Sequence, residues 1–208
     1  MTRAIETSLV FADLRDAHEA LLESRQSPRE VRRAFLRFVD LSQKLTSAMR
    51  KDYSRLDLGS WSAADFDGWT PVTQLLKHLR NEDQHGNQIY LSVHERRHFP
   101  VPEKLPPGFN IQPGRTFVFE GTWELTDQLL ENPPDEIESF EVDPNTGLPT
   151  GNEMKLLKLE RLYIVQARSE ETRRFIAAAG STDVHVLAQS AITTLTNYFQ
   201  FFCNQTDA

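Results

Sequence analysis

Apolar residues recur at three- and four-residue spacing through the first part of the chain, the mark of helices with one buried face. Leu14, Ala17, Leu21 and Leu22 carry this pattern in a first helix over residues 3–26. Ser27-Pro28 closes it and opens a second, because Ser27 offers a capping hydroxyl, Pro28 suits the first helical position and Glu30 completes a capping box. The second helix places Val31, Phe35, Phe38, Leu45 and Met49 on one heptad seam, with Ser42 as its polar member. Residues 53–69 lose the period and predict a loop that lays Trp61, Phe66 and Trp69 against the core. A third helix starts at Thr70-Pro71 and carries Val72, Leu75, Leu76 and Leu79 on one face.

Beyond Gly86 the period changes. Ile89, Leu91 and Val93 alternate with polar residues, as do Phe117 and Phe119, which predicts strands. Five prolines between Pro100 and Pro113 predict an irregular connection between them. Further strands are expected at residues 138–142 and 156–165, joined through a turn in DPNTGLPTG. The run SEET, Ser169 to Thr172, then caps a helix that carries Phe175 and Ile176, and Gly180 interrupts it. The last helix aligns Val184, Ala188, Ala191, Leu195, Tyr198 and Phe202. The expected class is α+β, a single domain over residues 1–208. Its helical core would comprise residues 1–88 and 169–205, with a small antiparallel β insertion at 89–167.

Composition narrows the class. A chain of 208 residues, 39% hydrophobic and 25% charged, suits one soluble globular domain with a sizeable insertion. The net charge of -7 excludes the basic field of a protein that coats nucleic acid, so any such contact must be local. The single Cys203 excludes an intrachain disulfide and a cysteine-rich zinc site; its aromatic neighbours predict a buried thiol and a reducing, cytoplasmic setting. The N-terminus has no signal-peptide pattern and no run of 18 apolar residues occurs, so no membrane association is expected. The packed aromatics Tyr198, Phe199, Phe201 and Phe202 suit core packing or an interface with a second copy.

Candidate chemistry concentrates in RNEDQHGNQIYLSVHERRH, residues 80–98. Its end, HERRH, matches the zinc-peptidase pattern, in which two His one helical turn apart share a metal and the Glu serves as base. Here alternation precedes it and Pro100 follows, so the pattern predicts a strand. A strand would set His94 and His98 roughly 13 Å apart. No spacing nominates a third ligand from Glu120 or Glu124. A zinc hydrolase built on His94, Glu95 and His98 thus needs a helix where the sequence predicts a solvated, basic strand end.

The first part, Arg80 to His85, supports a different chemistry. Cleaving an RNA phosphodiester without metal takes a base for the ribose 2′-hydroxyl proton and a cation for the phosphorane-like transition state. His85 titrates near neutrality, Arg80 offers a permanent charge in a planar fork, and Asn81 can donate to phosphate or orient the imidazole. On a continuing helix Asn81 and His85 share a face, with His78 beside them, while Arg80 lies about 140° from His85. One helix alone does not aim both at one phosphate; the same segment of a second copy across a two-fold axis can. Asp83 falls on the apolar stripe of Val72, Leu76 and Leu79, where burial would be costly unless the helix ends or a polar site faces it. The competing reading is structural: Lys77, His78, Arg80 and His85 before Gly86 would form a cationic helix end with a glycine cap.

RNEDQH within HLRNEDQHG, after an amphipathic helix and before strands and late helices, resembles the HEPN family, the higher-eukaryote and prokaryote nucleotide-binding domains. That family is marked by Arg-x4-6-His with a polar residue after the Arg. The resemblance implies a helical homodimer in which Arg80 and His85 line a composite ribonuclease cleft, assisted by Asn81, without metal or other cofactor. It further implies RNA as substrate, a role as toxin, antiviral effector or RNA-processing enzyme, and an antitoxin or regulatory protein as partner. The alternative within the same family is a catalytically inactive module that binds protein or nucleotide.

Overall fold

The computed structural model describes residues 5–25, 27–84, 89–100, 116–126, 140–142, 146, 149–153 and 156–206. The chain is α+β and divides into two compact units, residues 1–91 with 163–208, and residues 92–162. The first unit holds the α-helices of the described residues: α1 (Ile5–Glu23), α2 (Pro28–Arg55), α3 (Pro71–Gln84), α4 (Glu170–Ala179) and α5 (Val184–Thr206). Among these residues no helix is long and apolar enough to cross a membrane.

Short connections and local capping fix the helical order. Ser27 accepts the Glu30 N–H at 3.4 Å at the start of α2, behind Pro28. The link from α1 is short, so the two helices pack antiparallel. Their far ends are tied by buried Asp52, whose carboxylate accepts the Thr7 N–H of α1 at 2.7 Å. The α2 seam of Val31, Phe35, Phe38, Leu45 and Met49 is buried as expected, and Ser42 joins it by donating to the Val39 carbonyl at 2.7 Å. α2 itself runs past the expected start of the loop, through Tyr53, because Asp52 remains a core residue and the helical ladder continues to Leu56.

The following segment contains a 3-10 turn, Ala63–Asp65, and fixes the aromatic residues. Buried Trp61 donates its indole N–H to Tyr198 Oη at 2.8 Å, and Trp69 donates to the Ala63 carbonyl at 2.8 Å. Burial pushes the Tyr198 phenol above its usual range, against the Trp61 hydrogen bond. The α5 aromatics pack within the chain: Tyr198 and Phe202 are buried, Phe201 meets Trp61 and Phe66, and Phe199 stacks on Phe11 at 4.2 Å. Cys203 is half-buried rather than buried, since it lies off the Tyr198–Phe202 stripe. Ser169 caps α4 through the Thr172 N–H at 3.0 Å, and Gly180 ends it in the left-handed conformation, φ 75°, which glycine adopts without strain.

The strands are β1 (Leu91–Pro100), β2 (Thr116–Glu124), β3 (Phe140–Val142), β4 (Pro149–Glu153) and β5 (Lys158–Val165). β1 is the centre of a three-stranded antiparallel sheet ordered β2-β1-β5, while β3 and β4 pair separately. Register in the β1–β2 ladder sets His94 opposite Thr122 and His98 opposite Val118. β4 is a correction to the expected turn: DPNTGLPTG gives its last residues to a strand paired with β3, despite their Pro and Gly content. The proline-rich connection at 101–115 lies outside the described residues.

Candidate functional site

α3 continues through Gln84, so Arg80, Asn81, Glu82 and Asp83 of the motif are all helical, while His85 lies outside the described residues. Val72, Leu75, Leu76 and Leu79 form the buried stripe. Asp83, on the extension of that stripe, is exposed: the last turn outruns the core, and the carboxylate keeps its hydration. The start of the helix is secured by Thr73, whose hydroxyl accepts the Thr70 N–H at 3.2 Å and donates back to the Thr70 carbonyl at 2.8 Å. The Thr70 hydroxyl itself lies 3.4 Å from that of Thr194 on α5.

Two polar faces flank the buried stripe. One meets α4. His78 Nε2 lies 3.1 Å from Thr172 Oγ1, and its ring stacks on Phe175 with centroids 4.7 Å apart. Glu82 accepts from Thr172 Oγ1 at 3.0 Å and from Ser169 Oγ at 3.3 Å, so the carboxylate binds both hydroxyls at the capped start of α4. Glu82 is an interior position of RNEDQH and here bolts the motif helix to its neighbour. Beside it, a cavity of about 350 Å³ is bounded by Glu82, Tyr90 and Arg168, with the Arg168 guanidinium 4.6 Å above the Tyr90 ring.

The other face opens toward α2. Thr73, Gln74, Lys77, Arg80 and Asn81 recur on α3 at the spacing of one helical face and line a cavity of about 690 Å³. Opposite them, Gln43, Thr46, Ser47 and Arg50 form the matching face of α2, and Trp69 contributes to the wall. The cavity is therefore walled by hydroxyls, amides and three cations together with the apolar Ala63, Ala64, Leu76 and Leu195, with no carboxylate among its described lining residues. In a chain of net charge -7 that is a local reversal of sign. Arg80 is half-buried, and Asn81 and Lys77 are exposed. The structure thus brings Arg80 and Asn81 together in one cavity.

Arg50, Gln43 and Thr46 are absent from the sequence-level site. A signal for them exists: residues 43, 46, 47 and 50 repeat at three- and four-residue spacing on α2 with no acidic member, as do 73, 74, 77, 80 and 81 on α3. What the sequence lacks is the pairing of the two stripes.

HERRH lies wholly in β1, where the alternation put it, and each ionisable member has its own structural partner. His94 Nδ1 lies 2.9 Å from Thr122 Oγ1, and His98 Nε2 lies 3.4 Å from Glu160. Arg96 pairs with Glu120 at 2.7 Å. The expectation of a solvated strand end is corrected at Glu95 and Arg97, which are buried at 5% and 8% exposure. Glu95 accepts two hydrogen bonds from Arg97, at 2.9 and 3.0 Å, and a third from Arg161 of β5 at 2.6 Å, so its charge is compensated inside the sheet. Among the described residues no three His, Cys, Asp or Glu side chains converge to hold a metal ion.

His18 and His185, which no motif singled out, are buried between α1 and α5. His185 Nε2 lies 3.2 Å from the Leu21 carbonyl. Burial holds the His18 imidazole below its usual range, against the raising influence of Glu19 and Gln189.

No protein-family model matches the chain, and no curated protein and no solved structure is found that matches it.

Proposed function

We propose that the chain is a HEPN-like, metal-independent endoribonuclease that acts as a homodimer, with Arg80, Asn81 and His85 as its working residues. One observation carries the reading: Arg80 and Asn81 line a cavity whose described walls hold three cations and no carboxylate, a local environment fit for a phosphodiester. In the proposed reaction His85 removes the proton from a ribose 2′-hydroxyl, and the oxygen attacks the adjacent phosphorus. The 5′-oxygen leaves, taking a proton from water, and the His85 imidazolium returns its proton to solvent, so one His85 serves each cleft. Products are a 2′,3′-cyclic phosphate and a 5′-hydroxyl, so atoms and charge balance without metal. Arg80 stabilises the charge that builds on the equatorial phosphate oxygens, and Asn81 positions the phosphate.

The test is cleavage of a mixed single-stranded RNA pool in EDTA by the wild type, Arg80→Ala and His85→Ala. Cyclic-phosphate ends from the wild type, with losses of at least about a hundredfold in both variants, are expected. Equal cleavage by wild type and His85→Ala would assign the activity to something else. Absence of cleavage would leave a binding module as the better description.

A further inference from the structure

We infer that the α2–α3 cavity is a two-phosphate site, in which Arg50 and Lys77 hold the phosphate next to the one assigned to Arg80 and Asn81. The identity of that first phosphate rests on the ribonuclease reading. The second subsite rests on the cavity itself.

The argument starts from the ion pairs of α2. Its cations are largely neutralised by nearby carboxylates: Arg33 pairs with Glu30, Arg37 with Asp13, Lys44 with Asp40 and Lys51 with Glu6. Arg55 meets both Asp52 and Glu6. Arg50 departs from this pattern. It makes no ion pair or hydrogen bond with the described residues, and the side of α2 it occupies carries Gln43, Thr46 and Ser47 instead of acids. Lys77 on α3 is in the same position. Two uncompensated cations thus project from different helices onto one cavity that already contains Arg80. In a chain with 30 acidic and 23 basic residues, excluding every carboxylate from the described lining leaves a site whose natural occupant is an anion.

Size and chemistry define the occupant. About 690 Å³ is far more than one phosphate needs and lies in the range that encloses a nucleotide-sized ligand. Three cations suit more than one phosphate group. The hydroxyl of Ser47 and the amides of Gln43, Gln74 and Asn81 add neutral donors for phosphate and sugar oxygens. The ligand class is therefore a chain or group carrying two adjacent phosphates. Single-stranded RNA supplies it as consecutive phosphodiesters, and a free nucleoside diphosphate supplies it as a pyrophosphate.

Binding is measured by anisotropy with a fluorescent 2′-O-methyl oligoribonucleotide, which lacks the attacking hydroxyl and so reports affinity without cleavage. Arg50→Ala and Lys77→Ala are each expected to weaken it about tenfold at low salt. The double variant should reduce the slope of log affinity against log salt by about 1.4, for two phosphate contacts on a single strand. Lys44→Ala, which removes a cation already paired on α2, should change neither. ADP as competitor distinguishes the two sources. Binding of ADP, lost in Arg50→Ala and Lys77→Ala, without binding of the oligonucleotide would keep the two-phosphate site and assign it to a free nucleotide.

The inference is overturned if Arg50→Ala and Lys77→Ala bind like Lys44→Ala, or if the wild type binds neither probe. Cation-dependent binding in a protein that does not cut RNA would remove the ribonuclease reading and keep this site. Cleavage in EDTA with no role for Arg50 or Lys77 would do the reverse.

Discussion

Asp52 shows how one side chain can hold an element end. Nearly all of it is buried, yet it accepts the Thr7 N–H that α1 leaves without an intrahelical partner and a hydrogen bond from Arg55 at 3.1 Å. Asp52→Ala is expected to cost about 2 kcal/mol, as for a lost cap with a charged acceptor, read as a lower urea midpoint at unchanged slope. His18 makes a pH prediction. Its folded pKa is held down by burial, below the value of about 6.5 expected in the unfolded chain. Between the two values the unfolded chain binds more protons, so stability is lost as pH falls below about 6.5. The drop in thermal midpoint from pH 7 to pH 5 should therefore be smaller in His18→Gln than in the wild type; an equal drop would remove His18 as its source. These two roles differ in how far the sequence reveals them. The periodicity brings His18 and Asp52 near apolar positions, but the partner of Asp52 lies 45 residues away in sequence and only the α1–α2 pairing supplies it.

Among the elements, α3 and β1 divide the segment 80–98 into two kinds of structure, and in both the sequence pattern is decisive. The three- and four-residue spacing of Val72, Leu75, Leu76 and Leu79 makes the first a helix, and the alternation of Ile89, Leu91 and Val93 makes the second a strand. Capping signals at Ser27 and Ser169 were equally legible, because each depends on residues within one turn. Signals that depend on distant chain were not. The burial of Glu95 could not be read from HERRH, since Arg161 lies 66 residues away on a neighbouring strand. β4 was hidden because Pro149 and Gly151 are turn residues by composition and strand residues only through β3. Glu95→Ala should cost about 3–5 kcal/mol by stripping a buried charge from Arg97 and Arg161, measured by chemical denaturation. Added zinc should leave the wild-type stability and activity unchanged; a zinc-dependent rise in either would revive the HERRH site. Glu82→Ala should lower stability by about 1–2 kcal/mol and raise amide exchange at the start of α4, because Ser169 and Thr172 lose their shared acceptor.

At the scale of the molecule, an acidic chain concentrates three cations and a set of neutral donors between two helices of its helical unit. The stripe on each helix is visible in the sequence, yet the cavity exists only where α2 and α3 face each other. The proposed activity adds a second requirement, because a helix continued to position 85 would set Arg80 and His85 about 140° apart. Under that proposal two copies of the chain share one cleft. Mixing Arg80→Ala and His85→Ala chains tests this most directly. After the two proteins are unfolded and refolded together, mixed dimers retain one intact Arg80 and one intact His85 on opposite chains. The expected result is that each variant alone fails to cut RNA in EDTA, while the refolded mixture regains cleavage with cyclic-phosphate ends. A mixture as inactive as its components, beside an active wild type, would contradict the shared cleft.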